Sequence, residues 1–178
     1  MKCIHLIGIG GTGLSAIARL LLEMGYTVSG SDRAESSFTR DLQSAGVTVY
    51  ISHDSENVKG VDLVVRSSAI PDDNPEVIAA IASKIPVLKR SEFLGSLLKG
   101  KTSIAIAGTH GKTTTTAMIA WMLTALNQEP SFIVGGVLAN LGTNAHSGKG
   151  STFIIEADEY DRMFLGLQPT IEVVTNIE

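Results

Sequence analysis

The chain has 178 residues, enough for one large domain or two small domains that each bury a core. Its hydrophobic content of 44% and its 18 glycines favour a globular α/β protein, and a net charge of -4 argues against a nucleic-acid partner. No stretch approaches the roughly 18 consecutive apolar residues of a membrane helix, and no secretory leader pattern is visible, so we expect a cytoplasmic protein without a membrane span.

The first element is a buried strand at residues 2–9, which contains His5 and runs into a glycine-rich loop. A helix is predicted at 14–24, a second strand at 27–31, and Asp32 follows it. This order gives a GxGxxG fingerprint in its usual context, which favours a pyrophosphate on the helix N-terminus. The fingerprint alone suggests a dinucleotide with its ribose on Asp32, although the same loop binds any diphosphate and the glycines could serve packing alone. The candidate ligand-binding residues here are Gly10, Gly11, Thr12, Gly13 and Asp32.

The next part of the chain repeats the strand–helix unit. Asn74 is a good N-cap, with Pro75 at the first helical position and Glu76 in the first turn. Five strands joined by helices predict a parallel, Rossmann-like sheet that binds its ligand at the carboxyl ends of the strands. The predicted helices are 38–45, 75–83 and 91–98, and the predicted strands are 47–51, 61–66 and 85–88. The loops at Asp32, His53 and Ser67-Ser68 fall on the ligand-binding edge.

A second glycine loop follows a polar linker at 99–102, where we place the domain boundary. A short apolar strand at 103–107 leads into Gly108-Thr109-His110-Gly111-Lys112-Thr113-Thr114. In such a loop the backbone N–H groups surround a phosphate, Lys112 reaches the β- or γ-phosphate, and the hydroxyl of Thr113 ligates Mg²⁺. The loop departs from GxxxxGK[ST], because Ile106 occupies the position of the first glycine. The alternative is a glycine turn that caps a helix beside an exposed lysine.

The rest of the second domain is predicted to be small. A helix at 113–126 is expected to bury Met118, Ile119, Met122, Leu123 and Leu126, and Trp121 is also expected in the core. Residues 130–150 are interpreted as a glycine-rich loop, and strands are predicted at 153–155 and 171–175. Three strands and one long helix leave a sheet poorly covered, so we interpret the chain as part of a larger protein.

An acidic segment follows the strand at 153–155. Glu156-Ala157-Asp158-Glu159-Tyr160-Asp161 places four carboxylates within six residues, which repel one another unless a cation neutralises them. A strand that ends in acids downstream of a phosphate loop fits a Mg²⁺ ligand, and Glu156 is our candidate. The alternative is a solvated acidic turn.

Taken together, these motifs resemble the Mur ligase family of ATP-dependent amino-acid ligases. The matching segments occur in the family's order and are 8–13, 67–70, 107–115, 142–145, 156–159 and 175–177. Two positions depart from the family pattern. Ser52 stands before His53 where glycine is expected, which puts a uracil-binding role of that loop in doubt, and Tyr160 stands where many alanine-adding members have serine.

The resemblance implies a UDP-sugar-binding Rossmann-like domain at 1–99 and the first part of a P-loop ATPase domain at 100–178. It implies ATP and Mg²⁺ as cofactors, with UDP-N-acetylmuramate and L-alanine as substrates in peptidoglycan synthesis. ATP would phosphorylate the muramyl carboxylate, and the amine would displace phosphate from the acyl phosphate. The implied roles are phosphate clamping by Lys112, ATP binding by 108–114, Mg²⁺ binding by Thr113 and Glu156, and substrate binding by Ser67, Ser68, Ala69, Asn144 and Ala145 in addition to the first loop.

Three alternatives remain at this point. A recycling ligase would join a whole peptide to the same sugar nucleotide. A nicotinamide-dependent dehydrogenase would explain the first loop and leave the second loop unexplained. A non-catalytic nucleotide-binding module is a serious alternative for the 178 residues alone, which we expect to turn nothing over.

Overall fold

The structure is a computed structural model that describes residues 2–158 and 164–177. The chain divides into two compact units, Met1–Phe93 and Leu94–Glu178, which are described separately below. The predicted acids at Glu159 and Asp161, and the departure at Tyr160, lie outside the described residues.

The first unit is a parallel five-stranded sheet with strand order β3-β2-β1-β4-β5, as predicted. Hydrogen-bonded partners run in register along the strands, so that Ile7 at the carboxyl end of β1 lies between Ser31 and Arg66. The elements are β1 (Cys3–Ile7), α1 (Thr12–Glu23), β2 (Thr27–Asp32), α2 (Ser37–Ser44), β3 (Thr48–Ile51), a 3₁₀ turn (Ser55–Val58), β4 (Leu63–Arg66), α3 (Pro75–Ala82), β5 (Val87–Lys89) and α4 (Arg90–Leu98), which continues into the second unit.

The core of the first unit follows from the apolar pattern of its elements. Helix α1 buries Leu14, Ile17, Leu20 and Leu21 on one face, the three- and four-residue spacing of an amphipathic helix. Helix α3 begins as predicted, because the side chain of Asn74 accepts hydrogen bonds from the backbone N–H groups at positions 76 and 77. An N-cap of this kind contributes about 1 kcal/mol. These contacts fix the carboxyl edge of the sheet, where the loops after β1, β2, β3 and β4 emerge.

The second unit contains a mixed five-stranded sheet with order β10-β6-β9-β7-β8. Strand β8 is antiparallel to β7, and the other neighbouring pairs are parallel. Our expectation of three strands was therefore wrong. The elements are β6 (Thr102–Ala107), α5 (Lys112–Ala125), β7 (Ser131–Leu138), β8 (Thr143–His146), β9 (Thr152–Glu156) and β10 (Ile171–Val174).

The predicted loop at 130–150 was the main error in this unit, because it contains β7 and β8. The two glycines at 135 and 136 suggested a loop, yet they lie inside β7. A Cβ atom at Gly135 would come within 2.9 Å of the carboxylate of Glu156, so the close approach of that side chain favours glycine within a strand. In the sequence alone, a pair of glycines indicates a loop. Here the pair lies in a strand, and Gly135 leaves room for the side chain of Glu156.

The prediction for the apolar face of α5 was also partly wrong. Ile119 and Leu123 pack against the core cluster of the second unit as expected. The residues that are fully buried are Thr116 and Ala120, whose small side chains let the helix lie close to the sheet. The side chains that we expected to be buried but that are exposed are Met118, Trp121, Met122 and Leu126.

Candidate functional site

The first glycine loop is held in shape by Asp32. The backbone N–H of Gly10 donates to Oδ2 of Asp32 at 2.8 Å, and the N–H of Arg33 donates to Oδ1 at 2.8 Å. The backbone N–H of Gly8, which has a φ of +88°, donates to the carbonyl of Ser31 at 2.8 Å. The acid at the end of β2 therefore fixes the loop after β1, a role that the sequence did not predict.

The helix that follows this loop has a cationic neighbour. Helix α1 begins at Thr12, two residues before the predicted start at residue 14, so Thr12 and Gly13 form its first turn. A Cβ atom at Gly13 would collide with the guanidinium of Arg90. Because the N-terminus of a helix favours negative charge, a guanidinium at this place adds to its attraction for a phosphate. Arg90 was missed in the sequence, since it lies far along the chain and belongs to no motif.

A cleft of about 370 Å³ opens beside the first loop. It brings together most of the predicted substrate-binding residues of the first unit. Ser68 lies instead in a neighbouring hollow with Arg66 and Lys89. The lining of the first cleft is Gly8, Gly10, Gly11, Asp32, Arg33, His53, Ser67, Ala69 and Ile70.

A buried carboxylate lies behind this cleft, and the sequence did not reveal it. Glu76 was expected only as an acid in the first turn of α3, yet its side chain is fully buried. Its Oε2 accepts from the hydroxyl of Ser31 at 2.6 Å and lies 3.0 Å from Nδ1 of His53, while its Oε1 accepts from the amide of Asn57 at 2.7 Å. Nε2 of the buried His5 lies 3.4 Å from Oε1, within electrostatic reach but without hydrogen-bond geometry.

The ionisation of Glu76 follows from these contacts. Burial by itself raises the pKa of the carboxyl, but the contacts with His5, Ser31 and Asn57 outweigh this effect and lower the pKa from 4.5 to about 2. The group is therefore a buried anion at neutral pH. A buried charge requires partners, and here neighbouring strands and the loop after β3 supply them.

The second glycine loop has the strand–loop–helix geometry that the sequence predicted. Gly108 and Gly111 have φ values of +136° and +84°, which favour glycine. Helix α5 begins at Lys112, and the ammonium of Lys112 donates to the carbonyl of Gly108 at 2.7 Å, so that the lysine lies across its own loop. The ammonium of Lys112 is thus held beside the N-terminus of α5. Both the ammonium and the helix N-terminus attract an anion.

The predicted metal-binding pair lies together beside this loop. The hydroxyl of Thr113 donates to Oε2 of Glu156 at 3.2 Å, and Oε1 of Glu156 accepts from the N–H of Gly135 at 2.7 Å. Thr113 is exposed and Glu156 is half-buried, so the two oxygens remain near the surface. Among residues 2–158 and 164–177, no cluster of three or more His, Cys, Asp or Glu side chains is arranged to hold a metal.

The segment after β10 fixes the backbone of His110 within the loop. The hydroxyl of Thr175 donates to the carbonyl of His110 at 2.6 Å, and Oδ1 of Asn176 accepts from the N–H of His110 at 2.9 Å. The backbone N–H of His110 therefore already donates a hydrogen bond within the protein. In the sequence these two residues appear only as part of a family motif, and their supporting role is visible in the structure alone.

The second cleft, of about 380 Å³, opens beside Thr113 and Thr114 and is otherwise mostly apolar. It explains why residues of α5 that we expected in the core are exposed, since Met118 and Trp121 line it. Asn144 and Ala145, predicted at the sugar end of the substrate, are buried in β8, and the described lining of this cleft includes neither. The lining is Thr113, Thr114, Ala117, Met118, Trp121, Gly136, Val137, Leu138, Ala139 and Asn140.

Within the described part of the chain, no helix is both long enough and apolar enough to cross a membrane.

Comparison with known families places this chain. Residues 3–102 match the family described as "Mur ligase family, catalytic domain". This match covers more than half of the chain, and the chain belongs to the Mur ligase family.

Individual relatives agree with that assignment. The chain is 51% identical over 98% of its length to the UDP-N-acetylmuramate--L-alanine ligase of Polynucleobacter asymbioticus and 52% identical over 98% to that of Geotalea uraniireducens. It covers 37% and 38% of those two proteins, so it spans well under half of the curated relatives that it matches.

Solved structures share the fold. The UDP-N-acetylmuramate-alanine ligase of Thermotoga maritima superposes with a TM-score of 0.89 at 33% identity, covering all of this chain and 42% of that one. The UDP-N-acetylmuramate:L-alanyl-gamma-D-glutamyl-meso-diaminopimelate ligase of Neisseria meningitides superposes with a TM-score of 0.90 at 32% identity, covering all of this chain and 61% of that one. The α/β fold predicted from the sequence is therefore confirmed.

Proposed function

We propose that the complete protein is an ATP-dependent ligase that adds L-alanine to the carboxylate of UDP-N-acetylmuramate in the cytoplasm, during peptidoglycan synthesis. The observation that carries the proposal is the second loop, where Lys112, Thr113 and Glu156 lie together at the N-terminus of α5. The names of the relatives at about 50% identity supply the substrates. Neither nucleic acid nor a membrane is required by this activity.

The residues of the second loop suit phosphoryl transfer, which depends mainly on positioning and on neutralising charge. In this proposal the backbone of 108–111 and the side chains of Thr109, His110 and Thr114 surround the phosphates of ATP. Lys112 leaves its own loop carbonyl and binds the phosphoryl group that is transferred to the muramyl carboxylate. The amine of alanine then displaces phosphate from the acyl phosphate, and an amide bond forms.

The oxygens beside the loop fit a magnesium ion. Mg²⁺ prefers oxygen ligands and is commonly bound by one or two protein side chains together with phosphates and water. Thr113 and Glu156 offer a hydroxyl and a carboxylate 3.2 Å apart, which matches that donor set. When bound, Mg²⁺ neutralises negative charge on the phosphates. The N–H of Gly135 donates to Oε1 of Glu156 at 2.7 Å and holds this carboxylate beside Thr113, which supports the proposed role of the pair.

The first unit is proposed to bind the UDP portion of the substrate within residues 1–99. The start of α1 and the guanidinium of Arg90 suit the diphosphate, and the loops after β2, β3 and β4 surround the nucleoside. Ser67, Ser68 and Ala69 are proposed to contact the substrate from the loop after β4. Asn144 and Ala145 remain proposals for the sugar end, and their burial requires that any contact involve the backbone of β8 or its exposed neighbours.

A recycling peptide ligase is the second candidate. It is favoured by the superposition on the Neisseria meningitides protein, whose name includes a tripeptide. The relatives at about 50% identity are named for the alanine reaction, so the recycling ligase stands second. A dehydrogenase would leave Lys112, Thr113 and Glu156 without a role, and we do not propose it.

The test is an assay of the full-length protein. Release of phosphate from ATP is measured with UDP-N-acetylmuramate and either L-alanine or the tripeptide L-alanyl-γ-D-glutamyl-meso-diaminopimelate. Turnover with alanine supports the first proposal, turnover with the tripeptide alone supports the second, and no turnover with either contradicts both. The 178-residue chain alone is expected to bind UDP and to form no amide.

A further inference from the structure

The loop after β4, which carries proposed substrate-binding residues, is held by the arginine that ends the strand. Arg66 is the last residue of β4, and only 12% of its side chain is exposed. Its guanidinium donates from Nη1 to the backbone carbonyl of Ile70 at 2.9 Å and from Nη2 to a carboxylate oxygen of Asp72. One side chain therefore contacts the loop at two points, 4 and 6 residues further along the chain.

This loop separates the first cleft from the neighbouring hollow. Ser67 and Ala69 line the cleft, Arg66 and Asp72 line the hollow, and Ile70 lines both. The described lining of the cleft does not include Arg66. The guanidinium thus contacts the loop from the hollow, while two of the proposed substrate-binding residues lie on the side of the cleft.

Backbone hydrogen bonds fix the start of the loop. The N–H of Ser67 donates to the carbonyl of Ile7 in β1 at 3.0 Å, and the N–H of Ile70 donates to the carbonyl of Ser67 at 3.0 Å, which closes a turn at 67–70. The end of this turn is held by the buried side chain of Ile70 and by the bond from Arg66 to its carbonyl. A guanidinium that is mostly buried requires acceptors, and its planar fork binds two of them at fixed positions, which an ammonium cannot do.

We propose that Arg66 is a positioning residue for substrate binding, which holds the turn at 67–70 in its ligand-binding shape before the ligand arrives. The proposal rests on the proposed function, because it takes the ligand of the first cleft to be a uridine diphosphate compound. A flexible turn loses conformational freedom when a ligand orders it, whereas a turn that is already ordered does not. Asp72 supports this role as the second acceptor of the guanidinium.

Asp72 also separates this role from direct contact between Arg66 and the ligand. If Arg66 bound the diphosphate, the carboxylate of Asp72 would compete for the same guanidinium, and Asp72→Ala would tighten UDP binding. If Arg66 holds the loop, Asp72→Ala removes one of its two attachments and weakens UDP binding. The side chain of Asp72 is 89% exposed, so its removal leaves no cavity in the core.

The experiment uses the 178-residue chain and its variants Arg66→Met, Arg66→Lys and Asp72→Ala. Calorimetry gives their affinities for UDP, and urea unfolding shows that each variant is folded. The matched control is the ion pair of Lys59 and Glu56, whose side chains are 71% and 66% exposed, and neither belongs to the described lining of the cleft. Its variants are Lys59→Met and Glu56→Ala. Amide hydrogen exchange, measured by NMR without ligand, reports on the N–H of Ile70.

We expect Arg66→Met to lower the affinity for UDP about tenfold, since binding must then order the turn. Asp72→Ala should lower it roughly threefold, because the contact with Ile70 remains. Arg66→Lys should lie between Arg66→Met and the wild type, and both control variants should match the wild type. Without ligand, the N–H of Ile70 should exchange about tenfold faster in Arg66→Met, while the exchange of α1 stays unchanged, as expected for a local opening.

Three results would overturn the inference. Tighter binding of UDP by Asp72→Ala would show that Arg66 contacts the ligand itself, and this test stands even if Arg66→Met does not fold. Wild-type affinity of Arg66→Lys would show that the charge alone matters. Unchanged affinity of a folded Arg66→Met protein would show that binding does not need the contact. Failure of the wild type to bind UDP would instead contradict the proposed function of the first unit, and the exchange of Ile70 would still test whether Arg66 holds the turn.

Discussion

The two glycine loops use the same backbone arrangement, a strand that leads through glycines into a helix, but the charges beside them differ. At the first loop the acids are turned inward, since Asp32 binds the backbone of the loop and Glu76 is buried behind the cleft. At the second loop a lysine and an acid, Lys112 and Glu156, lie within the site and near the surface. The difference suggests that the first loop holds a diphosphate that does not react, while the second handles a phosphate that is transferred.

The largest expected effect concerns the lysine of the second loop. In the complete protein, Lys112→Ala should lower phosphoryl transfer at least about a thousandfold, because the charge that stabilises the moving phosphate is lost. Binding of UDP-N-acetylmuramate should stay nearly unchanged. Steady-state kinetics and calorimetry measure the two effects, with the exposed Lys99→Ala as control. Equal weakening of both would show that the two loops do not divide the work as described.

The next prediction concerns the buried acid of the first unit. Because the pKa of Glu76 is about 2 in the folded protein and 4.5 in the reference state, its contribution to stability is complete above pH 4.5 and is lost as the pH falls towards 2. This contribution is on the order of 3 kcal/mol. Urea unfolding of the wild type should therefore show a steeper loss of stability between pH 4.5 and 2 than Glu76→Gln. Identical slopes in the two proteins would contradict the lowered pKa, and Glu56→Gln is expected to follow the wild type.

A smaller effect is expected from the glycine that opens the second loop. Gly108→Ala adds a Cβ atom at a φ of +136° that would collide with the side chain of Thr175 and come within 3.1 Å of the N atom of Asn176. We expect a loss of about 2 kcal/mol or more in the free energy of unfolding. Gly142→Ala is the matched control, because its φ is +67° and its surroundings are open, and it should cost about 1 kcal/mol. Equal costs measured by urea unfolding would mean that contact with 175–176 does not constrain the loop.

The smallest effect concerns the loop after β3, where the sequence departs from the family. Ser52 has a φ of +119°, a conformation that favours glycine. Ser52→Gly is expected to raise the free energy of unfolding by about 1 kcal/mol. Ser83→Gly, at a φ of -85°, should lower it instead. A destabilised Ser52→Gly protein would show that the serine side chain contributes more than its backbone strain costs.

The sequence was sufficient for much of the fold because its signals were local. Asn74 and Pro75 marked the start of α3, and the glycines at 108 and 111 marked a loop whose positive φ values the structure confirms. Pairing of Thr113 with Glu156 was also expected, since a strand that ends in an acid reaches the same sheet edge as the loop.

The features that the sequence did not predict depend on contacts between distant residues. Glu76 looked like an ordinary acid in a first helical turn, and only the fold brings His5, Ser31 and His53 around it. The strands within 130–150 were missed because Gly135 makes room for a side chain from β9. Likewise, Met118 and Trp121 have helical spacing typical of a core, yet they line a cleft.

The central claim is that the two loops bind different nucleotides independently. Its most direct test is calorimetric titration of the chain with UDP in the absence and in the presence of saturating ATP and Mg²⁺. We predict one UDP per chain with the same Kd in both titrations. Displacement of UDP by ATP would show that both nucleotides compete for one loop and would contradict the claim.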